Sequence, residues 1–144
     1  MSLLTPRTRI VIGAYNKQKG LCPYCQRAVT SHNATWEHII PRAWGGSNVE
    51  PNIILACEPC NSAKSAIESM ISSNFSKELD IGSRAALFIL RCMKINKGKN
   101  RKLKLPKGTY LRMAVNMQER ADEWIRSGAV SLPELTDQNR GAFI

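Results

Sequence analysis

The sequence predicts an α+β fold built around a small zinc-stabilised unit. Three observations predict it. Two Cys-x-x-Cys knuckles, CPYC at residues 22–25 and CEPC at residues 57–60, supply four thiolates. Two short runs rich in β-branched and aromatic residues lie between and beside them. Segments with helical spacing of apolar residues flank the pair on both sides. Two knuckles are the ligand set of one tetrahedral zinc, because each turns two thiolates toward a common point.

The elements follow in order. Residues 6–19 read as a helix, with Pro6 near its first position and Ile10, Val11, Ala14 and Tyr15 at helical spacing. Gly20 ends it and leads into the first knuckle. Residues 35–39 read as a strand. Residues 41–51 form a loop punctuated by Gly45, Gly46 and Pro51. Residues 52–56 give the second strand, closed by the second knuckle, and a helix runs from about 61 to 72. Residues 81–93 are apolar nearly all round, which predicts a buried helix. Residues 94–107 predict a basic loop or hairpin, with Gly98 inside it and Gly108 after it. A last helix spans about 109–126, with Leu111, Ala114, Val115, Ala121, Trp124 and Ile125 on its apolar stripe and Gly128 at its C-cap. The remaining residues form a tail, tied down by Leu132 and Leu135.

Ordinary zinc ribbons separate their knuckles by roughly 15–20 residues. Here 31 residues lie between Cys25 and Cys57. The extra length carries Glu37-His38, the Gly45-Gly46 turn and Asn52, so the zinc reads as a clamp around a second site. In a chain without a secretion signal, metal binding outranks disulfides for these cysteines. The fifth, Cys92, reads as a small buried hydrophobe. His32 reads as a loop residue, and Trp36 and Trp44 as packing residues.

The formal charge is +10. Four zinc-bound thiolates would subtract four charges and the ion would add two, leaving about +8. No acid precedes Glu37, and residues 94–107 hold seven basic residues and no acid. Such a skew is the footprint of a polyanion partner. No run of about 18 apolar residues exists, which excludes a membrane span by sequence. The first residues, MSLLTPRTRI, lack the apolar centre of a signal peptide. The expected location is therefore cytoplasmic or nucleoid-associated.

Residues 22–64 resemble the HNH endonuclease family in its four-cysteine branch. The matching residues are Cys22, Cys25, Glu37, His38, Pro41, Gly45, Gly46, Asn52, Cys57, Cys60, Asn61 and Lys64. The resemblance implies a ββα-metal core, a β-hairpin followed by a helix, within residues 1–73. Residues 74–144 would be a helical, basic extension outside the match.

The resemblance also implies roles. His38 would be the general base, Glu37 and Asn61 the ligands of a catalytic divalent ion, and Asn52 the residue that pins the loop and so orients His38. The family's usual residue at position 37 is Asp, one methylene shorter. A carboxylate with an amide oxygen is a hard donor set that favours Mg²⁺ or Mn²⁺. Adjacent strand residues point to opposite sides, so the strand must end or twist near Ile39 for Glu37 and His38 to share one site. The implied activity is cleavage of DNA phosphodiesters to 5′-phosphate and 3′-hydroxyl ends, one nick per site.

Arg42, Lys64, Lys97, Lys99, Arg101, Lys102 and Lys104 are candidate nucleic-acid contacts, with Arg42 equally readable as solvent-facing and Lys64 reading first as a solvated helix residue and only second as a phosphate contact. Two rival readings stand beside this one. In one the chain is the nuclease subunit of a toxin or defence complex, acting on RNA or docking a protein through its C-terminal half. In the other it is a non-catalytic zinc module that binds nucleic acid.

Overall fold

A computed structural model describes residues 6–48, 50–74, 79–97 and 105–127. The order is α1 (Pro6–Lys17), β1 (Ala34–His38), a 3-10 turn (Arg42–Trp44), a second 3-10 turn (Glu50–Asn52), β2 (Ile53–Cys57), α2 (Glu58–Asn74), α3 (Ile81–Lys97) and α4 (Thr109–Arg126). The fold is α+β, as the sequence predicts. Lys99, Arg101, Lys102, Lys104, Gly128 and the expected tail lie outside the described residues.

The two strands pair antiparallel, with Ala34 opposite Cys57 and His38 opposite Ile53. Hydrogen bonds prolong the ladder at both ends, Glu58 N to Asn33 O (2.8 Å) and Ile39 N to Asn52 O (2.9 Å). A two-stranded sheet leaves raw edges. On β2 that edge is closed by a side chain from just beyond α1. The Gln18 amide donates to Leu55 O and accepts from Leu55 N, both at 2.9 Å, as a neighbouring strand would.

The first knuckle is a tight reversal held by Cys22 N to Arg27 O (2.8 Å) and Gln26 N to Cys22 O (2.9 Å). Leu21 and Ala28 bridge its base. The second knuckle differs from the expected arrangement. It does not precede the helix, because α2 begins at Glu58 and takes Cys60 into its first turn. Glu58 and Pro59 suit that position, one for the helix dipole and one because its missing N–H would be unpaired anyway.

The C-terminal helices correct the sequence reading in three ways. α3 runs to Lys97, so residues 94–97 of the expected basic loop are helical. Lys94 and Lys97 favour the dipole of its last turn. It is also not buried all round, since Leu90 is 66% exposed. On α4 the buried stripe is Tyr110, Met113, Ala114, Met117, Ala121 and Trp124. Leu111 and Val115, expected inside, are exposed. Both residues lie on the flank of the true stripe, and two methionines hold its centre.

α3 and α4 pack on each other, α2 packs on α3 and both strands, and α1 packs on β2. One hydrophobic cluster runs from Cys22 and Tyr24 through Ile40, Trp44, Ile71 and Phe88 to Met113 and Trp124. Trp44 is a packing residue here, edge-on to Phe88 at 6.4 Å and donating to Ser72 Oγ. Among the described residues, no helix is long and apolar enough to cross a membrane.

Candidate active site and zinc centre

The four thiols of Cys22, Cys25, Cys57 and Cys60 lie within 4.8 Å of one another, and all four residues are buried. Buried, converging thiols fit a tetrahedral soft-metal site. Their titration shows the same competition. The Cys22 thiol is pushed down to about 4, first by the hydrogen bond it shares with Cys60. Cys60 is pushed up by that same bond, and Cys57 by burial. Arg27 donates to Cys25 Sγ at 3.3 Å, placing a guanidinium against the thiolate cluster. Among the described residues, no other group of three or more His, Cys, Asp or Glu side chains converges.

The hairpin places His38 at the end of β1, half-buried and edge-on to Trp36 at 6.2 Å. Its Nε2 lies 2.6 Å from Asn48 Oδ1. An amide oxygen only accepts, so Nε2 is the donor of this bond. The bond holds the ring by one nitrogen and leaves Nδ1 as the ring atom that could take a proton.

The loop after His38 is fixed by Asn52, which is fully buried. Its Oδ1 accepts from Ile40 N (2.9 Å), and its Nδ2 donates to Ile40 O (3.0 Å) and Ser47 O (2.9 Å). Gly46 closes the same loop. A Cβ there would lie 1.8 Å from Ile40 O, so no other residue fits. Gly45 adopts φ 98°, a left-handed conformation that favours glycine.

Glu37 faces away from His38. It points to the opposite side of the strand and is 4% exposed. Its Oε1 is 2.8 Å from Lys64 Nζ, and its Oε2 accepts from Tyr24 OH at 2.8 Å. Both oxygens are engaged. Asn61, in the first turn of α2, is half-buried. In this structure the Glu37 carboxylate is paired with Lys64 and Tyr24, while Asn61 lies on the neighbouring helix α2.

Lys64 is a correction. It is not solvated but 0% exposed. Its ammonium contacts Glu37, Glu68 Oε1 (3.0 Å), His38 O (3.1 Å) and Ile39 O (2.9 Å), leaving no donor for a phosphate. Burial disfavours its charge, but Glu37 and then Glu68 outweigh that and raise its pKa. Glu68 is itself pushed up to about 7, first by burial, against the pull of Lys64. Tyr24 is raised well above the phenol range by burial and by Glu37. Arg42 is exposed in the 3-10 turn, and Lys97 is exposed at the end of α3.

Tyr24, Asn48 and Glu68 were missed from the sequence. Only Glu68 left a signal, since Lys64 and Glu68 are four apart on a helix and such charges meet.

Residues 22–79 match the HNH endonuclease family. A segment of 49 residues is 39% identical to the CRISPR-associated endonuclease Cas9 of Corynebacterium diphtheriae. It covers 33% of this chain but only 4% of that protein's length. No solved structure matches the chain. The matched segment thus contains the four-cysteine cluster, the hairpin, α2, His38, Asn52 and Lys64, while α1, α3 and α4 lie outside it.

Proposed function

We propose that this chain is an endonuclease that hydrolyses DNA phosphodiesters, leaving 5′-phosphate and 3′-hydroxyl ends. The observation that carries the reading is His38, inside the HNH segment, with Nε2 bonded to Asn48 and Nδ1 left as a base. In the proposed step, Nδ1 takes a proton from the attacking water, the water oxygen bonds to phosphorus, the P–O3′ bond breaks, and the departing 3′ oxygen takes a proton from solvent. Asn48 keeps the ring oriented and stabilises the imidazolium that forms, as the third group that orients a general base does elsewhere. Asn52 holds the loop that carries Asn48, through Ser47 and Ile40. The +10 charge supports a polyanionic substrate.

Zinc is the structural metal of this reading, and the four cysteines are its ligands. Mg²⁺ or Mn²⁺ is kept as the proposed catalytic cofactor, with Asn61 as its candidate ligand. Since Glu37 is engaged elsewhere, no step is assigned through that ion. One base per chain makes each catalytic event a single-strand cut.

A second reading, the nuclease subunit of a larger defence or toxin complex, has one observation in its favour. Leu111 and Val115 of α4 lie exposed beside Ile89 and Met93 of α3, an apolar groove of about 270 Å³. Such a groove suits a protein contact.

The test is purified protein on supercoiled plasmid with Mg²⁺, Mn²⁺, Ni²⁺ or Zn²⁺. Wild type should produce nicked circles. His38→Ala should lose about 10²–10⁴-fold in rate with its melting temperature unchanged. Asn48→Ala should fall between the two. A His38→Ala protein that cuts at the wild-type rate refutes the assignment. A folded, zinc-loaded wild type that binds DNA but never cuts it leaves the non-catalytic reading standing.

A further inference from the structure

We propose that Lys64 is a positioning residue for His38, and that Lys64, not a divalent metal ion, is the cation Glu37 serves. The inference rests on the reading of His38 as the base.

Lysine is almost never fully buried unless paired. Here an ammonium with three protons sits among four acceptors: two carboxylates and two successive backbone carbonyls. The carbonyls carry the argument. Successive carbonyls of a regular strand point in opposite directions. Those of His38 and Ile39 both reach one nitrogen, at 3.1 and 2.9 Å. The strand therefore stops being a strand at His38, and the ammonium holds the bend. This is the twist that Glu37 and His38 would need to share one site, but it is used differently. Glu37 turns inward to neutralise the clamp, and His38 is left facing the other way.

The clamp is continuous with the zinc centre. Tyr24 sits between the ligands Cys22 and Cys25, and its hydroxyl donates to the Glu37 oxygen that Lys64 does not take. Phe88 of α3 places its ring 5.5 Å from the Lys64 ammonium. A buried path thus runs from the knuckle through Tyr24, Glu37 and Lys64 to the His38 carbonyl. It joins the cysteine cluster to the backbone that carries the base.

The experiment compares Lys64→Met, Glu37→Gln and the Glu37→Gln/Lys64→Met double variant in the zinc-loaded full chain. Lys17→Met is the control for a lost surface charge. Three things are measured: ¹⁵N signals of the His38 ring, Mn²⁺ binding by electron paramagnetic resonance, and plasmid nicking. Lys64→Met should move the ring from a single Nε2–H tautomer toward a mixture. It should lower kcat about 10–100-fold with KM for DNA nearly unchanged. The double variant should regain melting temperature, since no buried charge is left unpaired, but should regain neither the ring signals nor kcat. Glu37→Gln should keep saturable Mn²⁺ binding.

Unchanged ring signals in both Lys64 variants would overturn the proposal. So would complete loss of saturable Mn²⁺ binding in a folded, zinc-loaded Glu37→Gln, a loss beyond the roughly 10–100-fold that an outer-shell partner accounts for. A wild type that cuts nothing, while Lys64→Met still shifts the ring, would sink the nuclease reading and uphold the position assigned to Lys64.

Discussion

Arg112, on the last helix, donates through Nε to the backbone carbonyl of Tyr24, inside the first zinc knuckle. The two residues are 88 positions apart. The guanidinium also donates to Lys107 O at 3.2 Å, fixing the turn that starts α4. The helix that lies outside the HNH segment is thereby tied to the loop that presents two zinc ligands.

Arg112→Met should therefore weaken both partners. Hydrogen bonds from a charged group contribute roughly 1.5–3 kcal/mol. The expected result is a melting temperature lower by roughly 4–10 °C and faster zinc transfer to a chromogenic chelator. A variant that melts lower yet releases zinc at the wild-type rate would show that the contact steadies α4 alone.

Cys57 ends β2 and offers its thiol from the residue where the strand meets α2. Cys57→Ser should lose most of the zinc contribution, which in small zinc modules is on the order of 10 kcal/mol. Insoluble or locally unfolded protein is expected, and native mass spectrometry should show one zinc in wild type and none in the variant. A wild type with no retained zinc defeats the reading of the four cysteines.

Glu68 sets a pH dependence whose sign can be worked out. Its folded pKa is raised to about 7, chiefly by burial, from 4.5 in the unfolded chain. Between those values the folded state holds a proton that the unfolded state has released. Stability therefore falls as pH rises through this window, by an amount on the order of 3 kcal/mol for this group alone. Glu68→Gln should flatten that part of the profile. Urea melts from pH 4.5 to 7.5 check it, and parallel wild-type and variant profiles would exclude Glu68 as the cause.

Much of this architecture was legible in the chain. Punctuation by Gly20, Pro41, Gly45 and Pro51 set the hairpin and its loop. Apolar spacing set α1 and α4 to within a few residues. The cysteine spacing marked out the cluster that the thiols form. What stayed hidden was orientation. Period-two alternation says that Glu37 and His38 face opposite ways, but not which of them faces inward. Lys64 decided it, and burying a lysine contradicts what its chemistry suggests locally. Nothing local tells that Glu37 and Glu68 will meet it there. The phase of α4 was misjudged for a related reason. Leu111 and Val115 are more apolar than the methionines, and packing against α3 chose Met113 and Met117.

The basic run beyond α3 supports the last prediction. Lys97 is exposed in the final turn of α3. Lys99, Arg101, Lys102 and Lys104 follow within a few residues, too close together for separate contacts to base edges. Lysine acts as a point charge suited to phosphate. Each phosphate neutralised contributes about 0.9 to the log–log salt slope on duplex DNA. Lys99, Arg101 and Lys102 changed together to Ala should weaken binding to all sequences about equally. The slope should flatten by up to about 3 units, read by anisotropy titrations between low and moderate salt. Nicking at saturating DNA should change little, because His38 and its partners Asn48, Asn52 and Lys64 are untouched. Wild-type affinity and slope in the triple variant would remove the run from the nucleic-acid interface. The exposed groove between α3 and α4 would then gain weight as a protein-docking face, and with it the reading of the chain as one subunit of a larger nuclease.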